Sequence, residues 1–179
     1  MNTYLKYSLI GLISLVILGL IYAYAVRVNG RYILLQKQEP GCMNFTQLEV
    51  YTSPFGENVA KNAKVVMSTL FSDLYKGENL TNGLRNTFAH TLCGEKEPQN
   101  MIVDLGQEFS IYKINLVNRT DCCSSRASGV IVSVLNNEQN PVYSANQLSD
   151  KNGKFIDDYE HNGFGEYVFF PPMKKWFGY

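Results

Sequence analysis

A chain of 179 residues, 45% hydrophobic and 18% charged, is sized for one domain plus an accessory segment. Its 16 Lys and Arg are balanced by 16 Asp and Glu scattered along the chain, so the basic stripe of a nucleic-acid reader is missing and no nucleic-acid partner is expected. Four cysteines without a Cys-x-x-Cys pair, and no cluster of histidines, give no zinc signature.

After a short tail over residues 1–6, Tyr7 to Val26 is a run of 20 residues without a charge, built around Leu9-Ile10-Gly11-Leu12-Ile13 and Leu15-Val16-Ile17-Leu18. As a helix that length crosses about 30 Å of hydrocarbon. Tyr7, Tyr22 and Tyr24 lie near its ends, where amphipathic rings settle at an interface. The rival is a cleaved secretory signal, with Ala23-Tyr24-Ala25 as its small-residue site, but the apolar run is longer than a usual signal core. The expectation is therefore a single-pass transmembrane anchor over residues 7–26, followed by one domain over residues 27–179. Charge does not orient the anchor, because Lys6 on one side faces Arg27 and Arg31 on the other. All four cysteines and three Asn-x-Thr sequons, at Asn44, Asn79 and Asn118, follow the anchor, which places the domain on the non-cytosolic, oxidising side.

Beyond the anchor the chain reads as short strands punctuated by turns. Arg31–Gln36 and Thr46–Thr52 are predicted as two strands joined by a polar loop that contains Glu39-Pro40-Gly41 and Cys42. Ser53-Pro54-Phe55-Gly56 is a turn, Lys64–Met67 a strand, and Ser68–Cys93 mostly loop with a helical turn near Thr69–Lys76. Met101–Asp104 is a buried strand ended by a turn at Leu105-Gly106-Gln107. Tyr112–Leu116 alternates apolar and polar with period two, and so do Val130, Val132 and Val134. Pro141–Ser144, Phe155-Ile156 and Glu166–Phe170 complete the strands, before a basic aromatic tail over residues 171–179. With no helical periodicity outside the anchor, the fold class is an all-β sandwich.

The chemically unusual stretch is Asn118-Arg119-Thr120-Asp121-Cys122-Cys123-Ser124-Ser125-Arg126, which follows the period-two strand. Adjacent α-carbons lie about 3.8 Å apart, closer than ordinary disulfides want, so a Cys122–Cys123 bridge would close an eight-membered ring and form a small apolar plate. The other reading is a pair of reduced thiols. Arg119 and Arg126 present planar donor forks that suit paired hydroxyls or a carboxylate, or that serve surface ion pairs with residues such as Asp121.

Val103-Asp104-Leu105-Gly106, followed by Ile114-Asn115-Leu116-Val117-Asn118-Arg119-Thr120-Asp121-Cys122-Cys123, resembles the discoidin or coagulation-factor C-type domain family, in particular its fucose-binding F-type lectins. The resemblance implies an eight-stranded, galactose-binding-like jelly roll with a glycan site made of a His, two Arg and a disulfide between adjacent cysteines. Carried over, Arg119, Asp121 and Arg126 match without a gap, and His90-Thr91 matches the upstream His-Thr at a slightly longer spacing. The ligand-binding set is then His90, Arg119, Asp121, Cys122, Cys123 and Arg126, with a fucose-like glycan as partner. Cys42 and Cys93 are expected to pair, stapling the first loop to the His90 loop. A glycan on Asn118 would crowd this pocket. The family's structural calcium loop is reduced here to Asn82-Gly83-Leu84, so calcium is doubtful, Glu49 and Asn82 being the oxygen donors at matching places. No cofactor and no catalytic constellation is read, since neither His90 nor His161 sits near a nucleophile motif and Asp157-Asp158 reads as an exposed turn. Arg31–Tyr51 resembles the family's last strand pair but stands first in the chain, and such displaced strands with an anchor also resemble membrane-tied minor capsid proteins of large DNA viruses, which would make neighbouring subunits, in a virion, the partners.

Overall fold

The computed structural model describes residues 3–25, 27–148, 159–161 and 165–171. The helix α1 (Thr3–Ala25) comes first. Ten strands follow: β1 (Val28–Lys37), β2 (Asn44–Tyr51), β3 (Lys64–Met67), β4 (Ala89–His90), β5 (Gln99–Ile111), β6 (Lys113–Asn118), β7 (Val130–Leu135), β8 (Pro141–Ser144), β9 (Tyr159–His161) and β10 (Glu166–Phe169). Short 3-10 turns occupy Asp73–Tyr75, Gly77–Leu80 and Ser124–Ala127.

The strands form two five-stranded antiparallel sheets, ordered β3-β5-β1-β7-β8 and β4-β2-β6-β10-β9. Period-two burial is the reason they stack. Ile33, Leu35, Met101, Val103, Val132 and Val134 turn one face of the first sheet inward, and Leu48, Val50, Ile114, Leu116, Tyr167 and Phe169 do the same from the second. The all-β sandwich read from the sequence is present, with ten strands among the described residues instead of eight.

The two strands expected around the polar loop are β1 and β2, and the Glu39-Pro40-Gly41 segment carries the chain from one sheet to the other, so that each strand has a neighbour on both sides. One local reading is corrected. Leu105-Gly106-Gln107 is no turn but an irregularity inside β5, where Gly106 takes φ +84° and the pairing with β1 shifts register between Gly30 and Tyr32. Among the described residues, no helix is long and apolar enough to cross a membrane. The membrane span expected over residues 7–26 is not shown by the described residues. The strand expected at Phe155-Ile156, the turn at Asp157-Asp158 and the tail from Pro172 to Tyr179 lie outside the described residues.

Strand direction gives the sandwich two distinct ends. Phe45 pairs with Asn118 at one end of the β2–β6 ladder and Tyr51 with Lys113 at the other. β1 begins beside Ile111, at the Lys113 end, and finishes at Lys37, whose Nζ reaches the Arg126 and Ser128 carbonyls at the Asn118 end. The helix therefore enters at the end opposite the arginine-cysteine loop.

At Gly30 an added Cβ would sit 2.1 Å from Val134 Cγ1 and 3.1 Å from the Leu135 carbonyl. Gly30→Ala is expected to lower stability by about 1–3 kcal/mol through this overpacking, measured as a drop in the denaturant midpoint at unchanged m-value.

Candidate functional site

The loop after β6 is positioned by one buried amide. Asn118 is 2% exposed. Its N–H donates to the Gly165 carbonyl at 2.6 Å, its Nδ2 donates to the Ser124 carbonyl at 2.9 Å, and its Oδ1 accepts the Arg119 N–H at 2.8 Å. The Thr46 hydroxyl donates to its carbonyl at 3.3 Å. Gly165 must stay small here, because a Cβ would lie 2.8 Å from Thr120 Cγ2 at φ +80°. Cys122 and Cys123 are disulfide-bonded to each other with α-carbons 3.8 Å apart, and Cys123 takes the left-handed φ of +62° before the turn that carries Arg126. Buried Lys37 then ties that turn to β1, donating to the Arg126 carbonyl at 3.0 Å and to the Ser128 carbonyl at 2.7 Å. Desolvation lowers the Lys37 pKa, opposed by the charge of Glu39.

His90 is delivered from the other side by β4, which pairs with the start of β2. The Met43 N–H donates to the Thr91 hydroxyl at 2.9 Å, and Cys42 and Cys93 form the expected disulfide, with α-carbons 4.6 Å apart. The ring is 4% exposed and sits edge-on to Phe71 at 4.7 Å and to Phe88 at 6.2 Å. Arg126 Nη1 lies 2.9 Å from His90 Nε2. A guanidinium can only donate, so Nε2 accepts and the ring proton sits on Nδ1, a buried atom with no hydrogen-bond partner among the described residues. Burial, and then the charges of Arg126 and Arg119, push the His90 pKa down to about 4.

Arg119 grips Asp121 with both forks, Nε to Oδ1 at 2.6 Å and Nη2 to Oδ2 at 2.8 Å, while its guanidinium stacks 3.9 Å above the Phe88 ring. That pairing holds the Asp121 carboxyl down at about 2, so the two remain ionised at ordinary pH. His90 and Arg126 thus meet in direct contact, Arg119 stands close enough to act on His90, and the Cys122–Cys123 bridge links the two arginines along the chain. The whole sequence-predicted set falls on one end of the sandwich, with guanidinium donors that have no partner among the described residues and an aromatic wall of Phe71, Tyr75 and Phe88 that spacing did not reveal.

Other candidates fare differently. Asn44 is 0% exposed, and Asn118 has its Nδ2 committed to Ser124, so neither side chain has room for a glycan in the folded domain. The third sequon asparagine, Asn79, is half-buried and donates its Nδ2 to the Leu74 and Phe88 carbonyls. The fold also gathers Cys42, His90 and Cys93, whose ligand atoms lie within 4.8 Å of one another. The two sulfurs are spent on each other, which leaves no thiolate for a metal.

The donor set does not fit calcium. Glu49 Oε2 accepts from Asn115 Nδ2 at 3.0 Å and from the Tyr51 hydroxyl at 3.0 Å, and its Oε1 lies 3.6 Å from the Arg85 guanidinium, which also pairs with Glu166. Asn82 folds back on its own loop, accepting the Leu84 N–H at 2.7 Å and donating to the Thr87 hydroxyl at 3.0 Å. A cation therefore already bridges the carboxylates, and it belongs to the chain. Arg85 had no motif to betray it.

Comparison with known proteins agrees with this geometry. Residues 79–169 match a family model described as a NedA-like, galactose-binding domain, of the F5/F8 type C kind. Fucolectin-2 of Anguilla japonica is 34% identical over 80 residues, covering 41% of this chain and 44% of that protein. The chain thus spans less than half the length of this curated relative. No solved structure matches significantly.

Two outcomes are expected. Because the folded state holds His90 at about 4, below its ordinary 6.5, the unfolded chain takes up a proton in that window that the fold refuses. Stability is full above pH 6.5, falls as pH drops toward 4 and levels off below it, and His90→Gln flattens that part of a thermal-unfolding pH series. Chelation with EDTA leaves the unfolding midpoint unchanged, whereas Arg85→Ala lowers stability by about 1 kcal/mol by leaving Glu49 and Glu166 without their shared cation.

Proposed function

We propose, given that the chain belongs to the F5/F8 type C, discoidin-like galactose-binding domain family, that it is a non-catalytic, membrane-tethered lectin-like module that captures a glycan at the His90 end of the sandwich. The single observation that supports it most is the convergence there of Arg126 on His90 Nε2 with the Arg119–Asp121 fork. Two guanidinium planes, one of them anchored on the buried His90 ring, can donate several hydrogen bonds to vicinal hydroxyls, while the exposed edge of the Cys122–Cys123 bridge offers an apolar surface to a sugar ring. Asp121 acts as the positioning residue that holds Arg119 flat against Phe88. The name of the eel relative points to fucose or a similar sugar as the first ligand to try.

The tether is read from α1, whose apolar side chains, among them Leu9, Leu12, Leu15 and Leu18, stand exposed around the helix and continue in sequence through Ile21. A membrane would cover them, and the site would then point away from that membrane, since helix and site lie at opposite ends of β1. Two disulfides support an oxidising, non-cytosolic setting for the domain. A second reading rests on exposed Leu70, Phe71, Leu74 and Leu92 beside the cleft: they suit packing against neighbouring subunits, as in a membrane-tied minor capsid protein of a virion.

The test is glycan-array binding of the full chain in detergent, followed by titration with the best hit. Arg119→Ala and Arg126→Ala should each weaken binding about tenfold or more, and a reducing agent should weaken it in wild type. Undiminished binding by both arginine variants would refute the site. A detergent-solubilised protein that binds no sugar and sediments as a stable oligomer would favour the subunit-packing reading.

A further inference from the structure

The end of the sandwich where α1 enters has its own chemistry. The turn Ser53-Pro54-Phe55-Gly56 closes on a hydrogen bond from the Gly56 N–H to the Ser53 carbonyl at 3.3 Å and lifts Phe55 to full exposure, 100%. Just before it, the Thr52 carbonyl accepts from Arg27 Nη1 at 2.6 Å. Arg27 lies two residues past the end of α1, so whatever angle the helix takes, covalent reach keeps this turn near the helix exit. The Arg27 guanidinium also sits 5.1 Å over the Tyr112 ring, Tyr112 packs edge-on against Phe170 at 5.6 Å, and Lys113 Nζ lies 4.5 Å over the Tyr51 ring.

A wholly exposed phenylalanine forgoes about 1.5–3 kcal/mol of burial, and nothing in the fold of this turn requires the ring: Pro54 and Gly56 make the bend, and the hydrogen bond that closes it is backbone to backbone. Rings flanked by Arg and Lys are the composition that settles at the headgroup level of a bilayer. Because the tether would hold the turn permanently beside one bilayer, even a weak preference for that surface is expressed at a high effective concentration. A lipid surface is therefore the one partner whose position is fixed by the chain itself.

We propose that the 53–56 turn is a second membrane contact, with Phe55 inserted into the interface of the bilayer that holds α1 and with Arg27 and Lys113 beside it at the phosphate level. It rests on the tether reading and adds to it a defined posture: the domain sits end-on to the membrane instead of swinging about the single residue between α1 and Arg27. Polar replacement of Phe55 leaves the glycan cleft untouched, since the cleft is at the far end of β2 and β6.

The full chain is reconstituted into phosphatidylcholine vesicles carrying brominated acyl chains, with Trp176→Phe as background and one reporter, Phe55→Trp or, at the cleft end, Leu92→Trp. The expected result is co-flotation with the vesicles and bromine quenching of the reporter at position 55 severalfold stronger than at position 92. Co-flotation with equal, weak quenching at both positions would overturn the contact and leave the tether standing. Failure to float would overturn both.

Discussion

Everything at the candidate site depends on the burial of one carboxamide. Asn118 ends a central strand, and there its main chain and side chain together bind four partners drawn from β2, the segment before β10 and the loop that follows it. A buried amide left without those partners would cost several hydrogen bonds' worth of desolvation, so the chain has one acceptable exit from the strand, and that exit aims Arg119 back across Phe88. Lys37 adds a second restraint from the other sheet, fixing the Arg126 carbonyl by a charge-assisted bond. The arginines are thus placed by backbone polar groups that have nowhere else to go, which is why a loop can hold a constellation as if it were strand.

The parts of this arrangement that were legible in sequence are those with a local rule behind them. Period-two alternation marked β6 and β7, and Cys42 and Cys93 met as the loop lengths allowed. The Arg119-x-Asp121 and Arg126 pattern was readable as a resemblance, and its geometry proved to be one cluster with His90. What escaped has no local rule. A Pro-Gly breaker looks the same whether the chain folds back beside itself or crosses to another sheet, so the sequence did not say which sheet each of β1 and β2 joins. Gly106 signals positive φ, and a turn and a strand irregularity both satisfy it. Asn44 and Asn118 carry acceptor sequons, but a sequon says nothing of burial, and the fold uses both as interior residues.

Arg85 illustrates how a domain can shed a requirement without losing an architecture. Glu49 and Glu166 approach from adjacent parts of the second sheet, and such a pair needs positive charge between it. A guanidinium, always protonated and able to donate in several directions, supplies that charge from within the chain. Its side chain keeps a partly exposed position, so it stays hydrated while bridging, which limits the desolvation cost that a fully buried ion pair would carry.

The placement of α1 and the arginine-cysteine loop at opposite ends also fixes how the domain bears a mechanical load. A pull applied at the arginine-cysteine loop and resisted at the helix enters β1 at its Val28 end and acts parallel to the strand axis. β1 is the middle strand of its sheet, laddered to β5 over one edge and to β7 over the other. Withdrawing it means sliding past both neighbours at once, so the hydrogen bonds are strained together in shear and cannot be peeled open one after another. A strand at the edge of the sheet, or a helix joined at the cleft end, would have given the opposite geometry, in which a modest force unzips the ladder from its last pair.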